Sequence, residues 1–187
     1  MCMKKNTTTS LTNLPLSVWV LLLFLVVALA ASTYMITDNA RRIALAKQDE
    51  LIKSEVQTAV GALQALYDRS QRGEIALAYA ERVGEDVLRN TTYGDGGYFW
   101  ADTSDGTNVV LYGDASVEGK NRADAEMNGI KYVQKILTAG QQPGGGYANY
   151  WYPKQGQTTP LAKRSYSLYF APFDWVVGTG YYVSDIR

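Results

Sequence analysis

The apolar run near the start of the chain restricts the fold more than any other feature. From Leu14 to Met35 the sequence reads LPLSVWVLLLFLVVALAASTYM, without a charged side chain. A helix of roughly 20 apolar residues crosses the hydrocarbon core of a bilayer. We therefore predict a transmembrane helix over residues 14–36.

The charges that flank this run predict its orientation. Lys4 and Lys5 precede it, and basic residues concentrate on the cytoplasmic side of membrane proteins. The sequence therefore places residues 1–13 in the cytoplasm. Residues 37–187 are expected outside the inner (cytoplasmic) membrane, in the periplasm or the extracellular space.

A cleaved signal peptide is an alternative interpretation of the same run. Ala28 and Ala30 flank Leu29 in the small-x-small pattern of a cleavage site. The run is longer than the usual signal core of about 7–15 residues, which favours an anchor. Both alternatives export the residues that follow.

The composition excludes several classes of function. The chain has 18 basic and 18 acidic residues, so its zero net charge gives no electrostatic basis for binding nucleic acid. Histidine is absent and Cys2 is the single cysteine. Zinc sites, histidine-assisted nucleophiles and disulfide frameworks are therefore not expected. We predict no metal, no cofactor and no enzymatic activity.

Two helices are predicted after the apolar run. Apolar residues recur at spacings of three and four along residues 37–73, which is typical of an amphipathic helix that ends at Gly73. These residues are Ile52, Val56, Ala59, Leu63 and Leu66. A shorter helix follows up to residue 90, with a second stripe that we expect to pack in the core. That stripe comprises Ile75, Tyr79, Val83 and Val87.

The rest of the chain alternates turns and strands. Residues 93–113 predict a β-hairpin with turns at 94–97 and 105–106. A helix is expected from Asp124, its predicted N-cap, to Gly140, with Ile130, Val133 and Leu137 facing inward. Strands are then expected over 146–154, 161–173 and 174–186. These elements predict an α+β domain with an antiparallel sheet of about five strands.

The strand GYANYWYPKQG carries an unusual set of side chains. Successive residues of a strand point to opposite faces, so Tyr150, Tyr152 and Lys154 share one face. Two phenols and an ammonium group can bind a small anion, because they supply hydroxyl donors and a positive charge. Lys154 is the primary candidate for the contact with the anion, and its replacement by Ala is expected to weaken binding.

The ordered set of motifs from Ser32 to Arg187 resembles the single Cache sensor domains of bacterial transmembrane receptors, especially methyl-accepting chemotaxis proteins. The matching pieces are LRNTTYGDGGYFWAD, EMNGIKYVQKIL, GGGYANYWYPK and AKRSYSLYFAPFDWVVGTGYYVSDI. The resemblance implies a curved antiparallel sheet of five to six strands, Cache- or PAS-like. The long helix would lie on one side of this sheet and the binding pocket on the other.

The resemblance also implies a function. Such domains bind small molecules, commonly short carboxylic acids, and report occupancy through their helices to a cytoplasmic signalling module. Many relatives carry a histidine next to a proline where this chain has Leu111-Tyr112-Gly113, so that contact would have to come from Tyr112 or be missing. The predicted ligand-binding residues are Trp100, Tyr112, Tyr150, Tyr152, Lys154, Lys163 and Tyr166.

Several alternatives remain open from the sequence. The ligand of the sensor could be an amino acid, an amine or a sugar instead of a carboxylate. A pilin-like structural protein and an enzyme that uses Lys154 as a base are further alternatives. The chain could be the sensor portion of a longer receptor or a stand-alone anchored binder. We also expect a homodimer formed through the N-terminal helix, with Ile36 and Ile43 as candidate contacts.

Overall fold

The computed structural model describes residues 15–186. The predictions for residues 1–13, including Lys4 and Lys5, lie outside the described residues. The chain divides into two compact units at Ile43/Ala44. A single helix, α1, extends over Leu16–Gln71. Its N-terminal part is long and apolar enough to cross a membrane and its side chains are exposed, a pattern that an anchor and a signal sequence share.

The second unit contains the remaining elements. The other helices are α2 (Leu77–Asn90) and α3 (Tyr132–Gly140). The short strands are β1 (Thr92–Tyr93), β2 (Gly97–Tyr98), β5 (Glu126–Met127) and β6 (Ile130–Lys131). The strands of the main sheet are β3 (Trp100–Thr103), β4 (Asn108–Leu111), β7 (Gly146–Pro153), β8 (Pro160–Phe170) and β9 (Trp175–Tyr182).

The main sheet has five antiparallel strands in the order β4-β3-β9-β8-β7. One face packs against α1 and α2, and its core includes Leu63, Leu88 and Trp175. The other face packs against α3, with Val133 and Ile136 in its core. The predicted α+β architecture with an antiparallel sheet of about five strands is therefore confirmed.

The helix patterns have different outcomes. The predicted stripe of α1 is confirmed, since Ile52, Val56, Ala59 and Leu63 are buried. The predicted stripe of the second helix is wrong at Tyr79, which is exposed, whereas Ile75, Val83 and Val87 are partly buried. The residues that α2 buries fully are Ala80, Gly84 and Leu88. A Cβ atom at Gly84 would lie 2.8 Å from Leu63 and 3.2 Å from Trp175. Small residues therefore let α2 approach the core closely, which a search for large apolar side chains misses.

The start of α3 also differs from the prediction. The helix begins at Tyr132, and Asp124 is not its N-cap. The preceding residues form the two-strand ladder β5–β6, in which Met127 pairs with Ile130. Asn128 and Gly129 connect these strands with φ angles of 50° and 74°. Asn-Gly is the preferred pair for such a tight hairpin, so this turn was readable from the sequence.

Candidate functional site

A small cavity lies between α3 and the sheet, on the face opposite α1. Its free volume is about 20 Å³, which is room for the centre of roughly one water molecule. It is lined by Tyr98, Trp100, Asp102, Leu111, Arg122, Tyr132, Ile136, Tyr150, Tyr152 and Lys163. Aromatic rings and charged groups thus enclose the same space.

Lys163 is the central cation of this cavity. Alternation along β8 turns its side chain to the cavity face, and the residue is only 2% exposed. Its Nζ donates to the Tyr98 hydroxyl at 2.7 Å and lies 4.5–5.4 Å from the ring centroids of Tyr98, Trp100, Tyr152 and Tyr182. An ammonium group has three donors. Among residues 15–186, no carboxylate lies within salt-bridge distance of the Lys163 ammonium.

The pKa values of the tyrosines in the cavity depend on burial and on the charge of Lys163. Burial raises the pKa of Tyr150 well above its ordinary value and raises that of Tyr152 to about 12. Burial would also raise the pKa of Tyr98, but the charge and hydrogen bond of Lys163 outweigh it and lower that pKa. Tyr150 and Tyr152 therefore keep their protons at neutral pH and can donate hydrogen bonds.

Arg122 supplies a second cation, and Asp102 fixes its position. The guanidinium Nη2 donates to Asp102 Oδ1 at 2.8 Å, and Asn108 donates to the same oxygen at 2.9 Å. Backbone bonds hold the loop that carries Arg122 to β4 and to the turn before it. They include Asn108 N to Lys120 O at 2.9 Å and Arg122 N to Gly106 O at 2.8 Å. Burial raises the pKa of Asp102, and the charge of Arg122 opposes this effect.

Three polar atoms of the cavity residues are buried without a hydrogen-bond partner among the described residues. They are Asp102 Oδ2, Arg122 Nε and Trp100 Nε1. Buried polar atoms are nearly always paired in folded proteins, so these atoms mark a place for additional polar groups. Two cations and one carboxylate line the cavity. The lining therefore has a formal excess of one positive charge.

The predicted site residues divide into three groups. Trp100, Tyr150, Tyr152 and Lys163 meet at the cavity. Tyr112 and Lys154 line a neighbouring surface groove of about 200 Å³, which also touches Tyr98, Leu111 and Tyr152. Tyr112 stacks on Tyr98 with ring centroids 5.5 Å apart. Lys154 is 34% exposed and forms a 2.7 Å ion pair with Asp185. It lies outside the cavity because β7 ends at Pro153.

Tyr166 lies on the other face of the sheet. It is three positions from Lys163, and an odd separation along a strand changes the face. Its ring packs against Tyr147 with centroids 4.9 Å apart, and its hydroxyl donates to the Gly144 carbonyl. Tyr166 is therefore not part of the cavity.

Sequence reasoning missed several residues of the cavity, and Asp102 and Arg122 are the important ones. Asp102 is fully buried in β3, two positions after Trp100, so strand alternation places the two residues on one face and could have identified Asp102. Arg122 lies in a loop without periodicity. Arg89, near the end of α2, pairs with Glu118 at 3.0 Å and with Asp86 at 2.7 Å.

The wall of the cavity depends on Gly178. This residue pairs with Trp100 across β3 and β9, and a Cβ atom here would lie 2.7 Å from the indole ring and 2.7 Å from Ser167 Oγ. We expect Gly178→Ala to lower the free energy of unfolding by about 1–3 kcal/mol, because overpacking displaces the indole. Urea unfolding in detergent micelles measures this change.

Gly61→Ala is the matched control for this substitution. Gly61 lies in α1, and a Cβ atom here would have no neighbour within 4 Å. The control should raise stability by about 0.5–1 kcal/mol, the helix preference of Ala over Gly. Equal effects of the two substitutions would mean that Gly178 does not hold the indole in place.

Comparison with known proteins gives consistent matches. The sequence model of the family Single Cache domain 2 matches residues 44–187. The chain is 27% identical over 139 residues to the methyl-accepting chemotaxis protein McpP of Pseudomonas putida, covering 74% of this chain and 26% of McpP. It is 32% identical over 147 residues to the methyl-accepting chemotaxis protein CtpM of Pseudomonas aeruginosa, covering 77% of this chain and 25% of CtpM. The chain thus spans about a quarter of the length of these relatives.

Solved structures share the fold. A periplasmic sensor domain of a chemotaxis protein has a TM-score of 0.71 at 29% identity, covering 74% of this chain and 97% of that domain. A Cache chemosensory domain whose structure explains carboxylic acid recognition has a TM-score of 0.71 at 24% identity, covering 76% of this chain and 97% of that domain. The second likeness concerns the fold alone.

Proposed function

This chain belongs to the Single Cache domain 2 family, and from that premise we propose that it is the extracytoplasmic sensor of a membrane-anchored receptor and binds a short-chain carboxylate. The relatives in chemotaxis support a sensing role. Residues 14–36 would form the anchor, and residues 37–187 would lie outside the inner membrane. Family membership favours this function over the pilin-like and enzymatic alternatives.

The buried ammonium of Lys163 carries the proposal of an anionic ligand. A buried charge is costly unless it is paired, and Lys163 has no carboxylate partner among residues 15–186. The rings around Nζ compensate part of this cost. A ligand carboxylate would accept from the free donors of Lys163 and from Arg122, and would balance the excess positive charge of the lining. Tyr150 and Tyr152 would complete the hydrogen bonds, and Tyr112 and Lys154 would lie at the entrance.

The small volume of the cavity supports a compact ligand and suggests how binding produces a signal. The cavity of about 20 Å³ is smaller than a two-carbon acid in this conformation. Binding would therefore displace the walls, and a ligand that prefers the wider state shifts the population toward it. Larger acids would require larger displacements, which favours two- and three-carbon ligands.

The sheet offers a direct connection from the cavity to α1. Lys163 and Arg164 are neighbours on β8, and alternation directs them to opposite faces. Arg164 forms hydrogen bonds of 2.7 and 2.8 Å with the carboxylate of Asp49 in α1. Tyr181 donates to the same carboxylate at 3.0 Å. A shift of β8 at Lys163 would thus change the position of α1 through Asp49.

A ligand screen tests the proposed function. The 187-residue chain in detergent micelles would be heated with two- to four-carbon acids, amino acids, amines and sugars, and unfolding would be followed by tryptophan fluorescence. A ligand present at about 100 times its dissociation constant stabilises by about 2.7 kcal/mol. We expect stabilisation by short carboxylates. Stabilisation by neutral sugars or amines alone would contradict the proposal.

Assembly and output are part of the same proposal. We expect a homodimer through the N-terminal helix and a cytoplasmic signalling module in the complete receptor. Single cysteines placed along residues 36–50, which include Ile36 and Ile43, would crosslink with helical periodicity in such a dimer. A flat crosslinking pattern would contradict it.

A further inference from the structure

The geometry points to a 2-hydroxy monocarboxylate of two or three carbons as the preferred ligand, with Asp102 Oδ2 as the acceptor of its hydroxyl group. This inference rests on the proposed function, since it concerns the same cavity. It adds a role for Asp102 that the binding of a carboxylate does not require.

The two oxygens of Asp102 have different surroundings. Oδ1 accepts from Arg122 at 2.8 Å and from Asn108 at 2.9 Å. Oδ2 is buried and has no donor among the described residues. The residue is fully buried and lines the cavity. A buried carboxylate oxygen without a donor is destabilising, and a ligand hydroxyl would supply that donor.

Arg122 would place the two functional groups of the ligand next to each other. Its Nη2 holds Asp102, whereas its Nε is buried and unpaired in the described part of the chain. A carboxylate that accepts from Nε and from Lys163 therefore lies beside Asp102. The carbon next to the carboxylate is then the one whose substituent can reach Oδ2. A hydroxyl at position 2 satisfies this geometry with the fewest atoms, as the small cavity requires.

Charge distinguishes a hydroxyl from an amino group at that carbon. The lining carries two cations and one carboxylate. A 2-hydroxy acid has one negative charge and makes the occupied cavity neutral. An α-amino acid is a zwitterion, so its ammonium could approach Asp102 but would leave one positive charge uncompensated. Because unpaired charge is costly in a buried site, the charge balance favours the hydroxy acid.

Three ligands of similar size test the inference on the wild-type chain in detergent micelles. Calorimetry would compare lactate, propionate and alanine, which carry a hydroxyl, a hydrogen and an ammonium at the same carbon. We expect lactate to bind about 10- to 100-fold more tightly than propionate, the effect of one hydrogen bond to a charged group. Propionate binding as tightly as lactate, or alanine binding most tightly, overturns the inference. If none of the three compounds binds, the proposed function is overturned as well.

Asp102→Asn tests the assigned residue. The side chain keeps its size and one oxygen for Arg122, whereas the atom in place of Oδ2 becomes a donor. We expect the preference for lactate over propionate to fall to about threefold or less, with propionate still bound. An unchanged preference overturns the role of Asp102. If the variant does not fold, the wild-type comparison still decides between the outcomes.

Discussion

Replacing Lys163 by Met should abolish carboxylate binding and at the same time stabilise the domain. Removing one partner of a buried, hydrogen-bonded charge pair costs about 2–5 kcal/mol of binding, so the affinity should fall at least about 30-fold. The ammonium is 2% exposed and lacks a carboxylate partner in the described part of the chain. The apolar replacement should therefore raise the free energy of unfolding by about 1–3 kcal/mol. Calorimetry and urea unfolding measure the two effects.

Lys154→Met is the matched control, because it removes the same charge at a partly exposed position just beyond the end of β7, outside the cavity. Its ion pair with Asp185 is on the surface, and such pairs contribute about 0–1 kcal/mol. We expect less than a threefold change in affinity. Loss of binding in Lys154→Met with normal binding in Lys163→Met would mean that the anion binds at Lys154, as strand alternation predicted.

Arg122→Met should destabilise the domain strongly. The substitution leaves the carboxylate of Asp102 buried without its cation, and breaking a buried pair in this way costs about 3–5 kcal/mol. Ligand affinity should fall as well, since the second cation of the cavity is lost. Urea unfolding at neutral pH measures the stability change.

The stability of Arg122→Met should depend on pH with a defined sign. Burial already raises the pKa of Asp102, and removing Arg122 takes away the charge that opposes this effect. A carboxyl group with a raised pKa in the folded state binds its proton more tightly there than in the unfolded chain. The loss of stability in Arg122→Met should therefore begin as the pH rises above the ordinary Asp pKa of about 4. It should grow until the pH reaches the raised pKa of Asp102. Lowering the pH should restore the stability of the variant.

The double variant Arg122→Met with Asp102→Asn is the control for this interpretation. With both charges removed, no carboxylate is left buried without its cation, so most of the lost stability should return and the added pH dependence should disappear. A double variant as unstable as Arg122→Met alone would assign the loss to packing instead of charge.

Periodic features of the fold could be predicted from the sequence. Ile52, Val56 and Leu63 follow the helical period and are buried, and Tyr150 and Tyr152 share the cavity face that alternation assigned to them. The period was insufficient where small residues carry the packing, as at Ala80 and Gly84 in α2. The start of α3 was also wrong, because Asp124 was chosen as the N-cap and the Asn128-Gly129 turn was overlooked.

Lys154 and Lys163 show what a local sequence pattern can and cannot predict. Alternation assigns Lys154 to the cavity side of β7, but it does not predict where the strand ends. Lys163 was predicted together with Tyr166, although the two residues face opposite sides. The register that pairs Lys163 with Tyr150 and with Tyr182 decides which lysine is enclosed.

The sequence by itself determined the apolar N-terminal helix, the long amphipathic stripe, the antiparallel strands and the family, because each depends on patterns within a few residues or on the order of motifs. Only the tertiary structure decided which charges meet. Lys163, Asp102 and Arg122 come from β8, β3 and a loop, and their electrostatics depend on distances and burial that arise when these segments pack. A charge acquires its pKa and its partner from three-dimensional surroundings, and no local period encodes them.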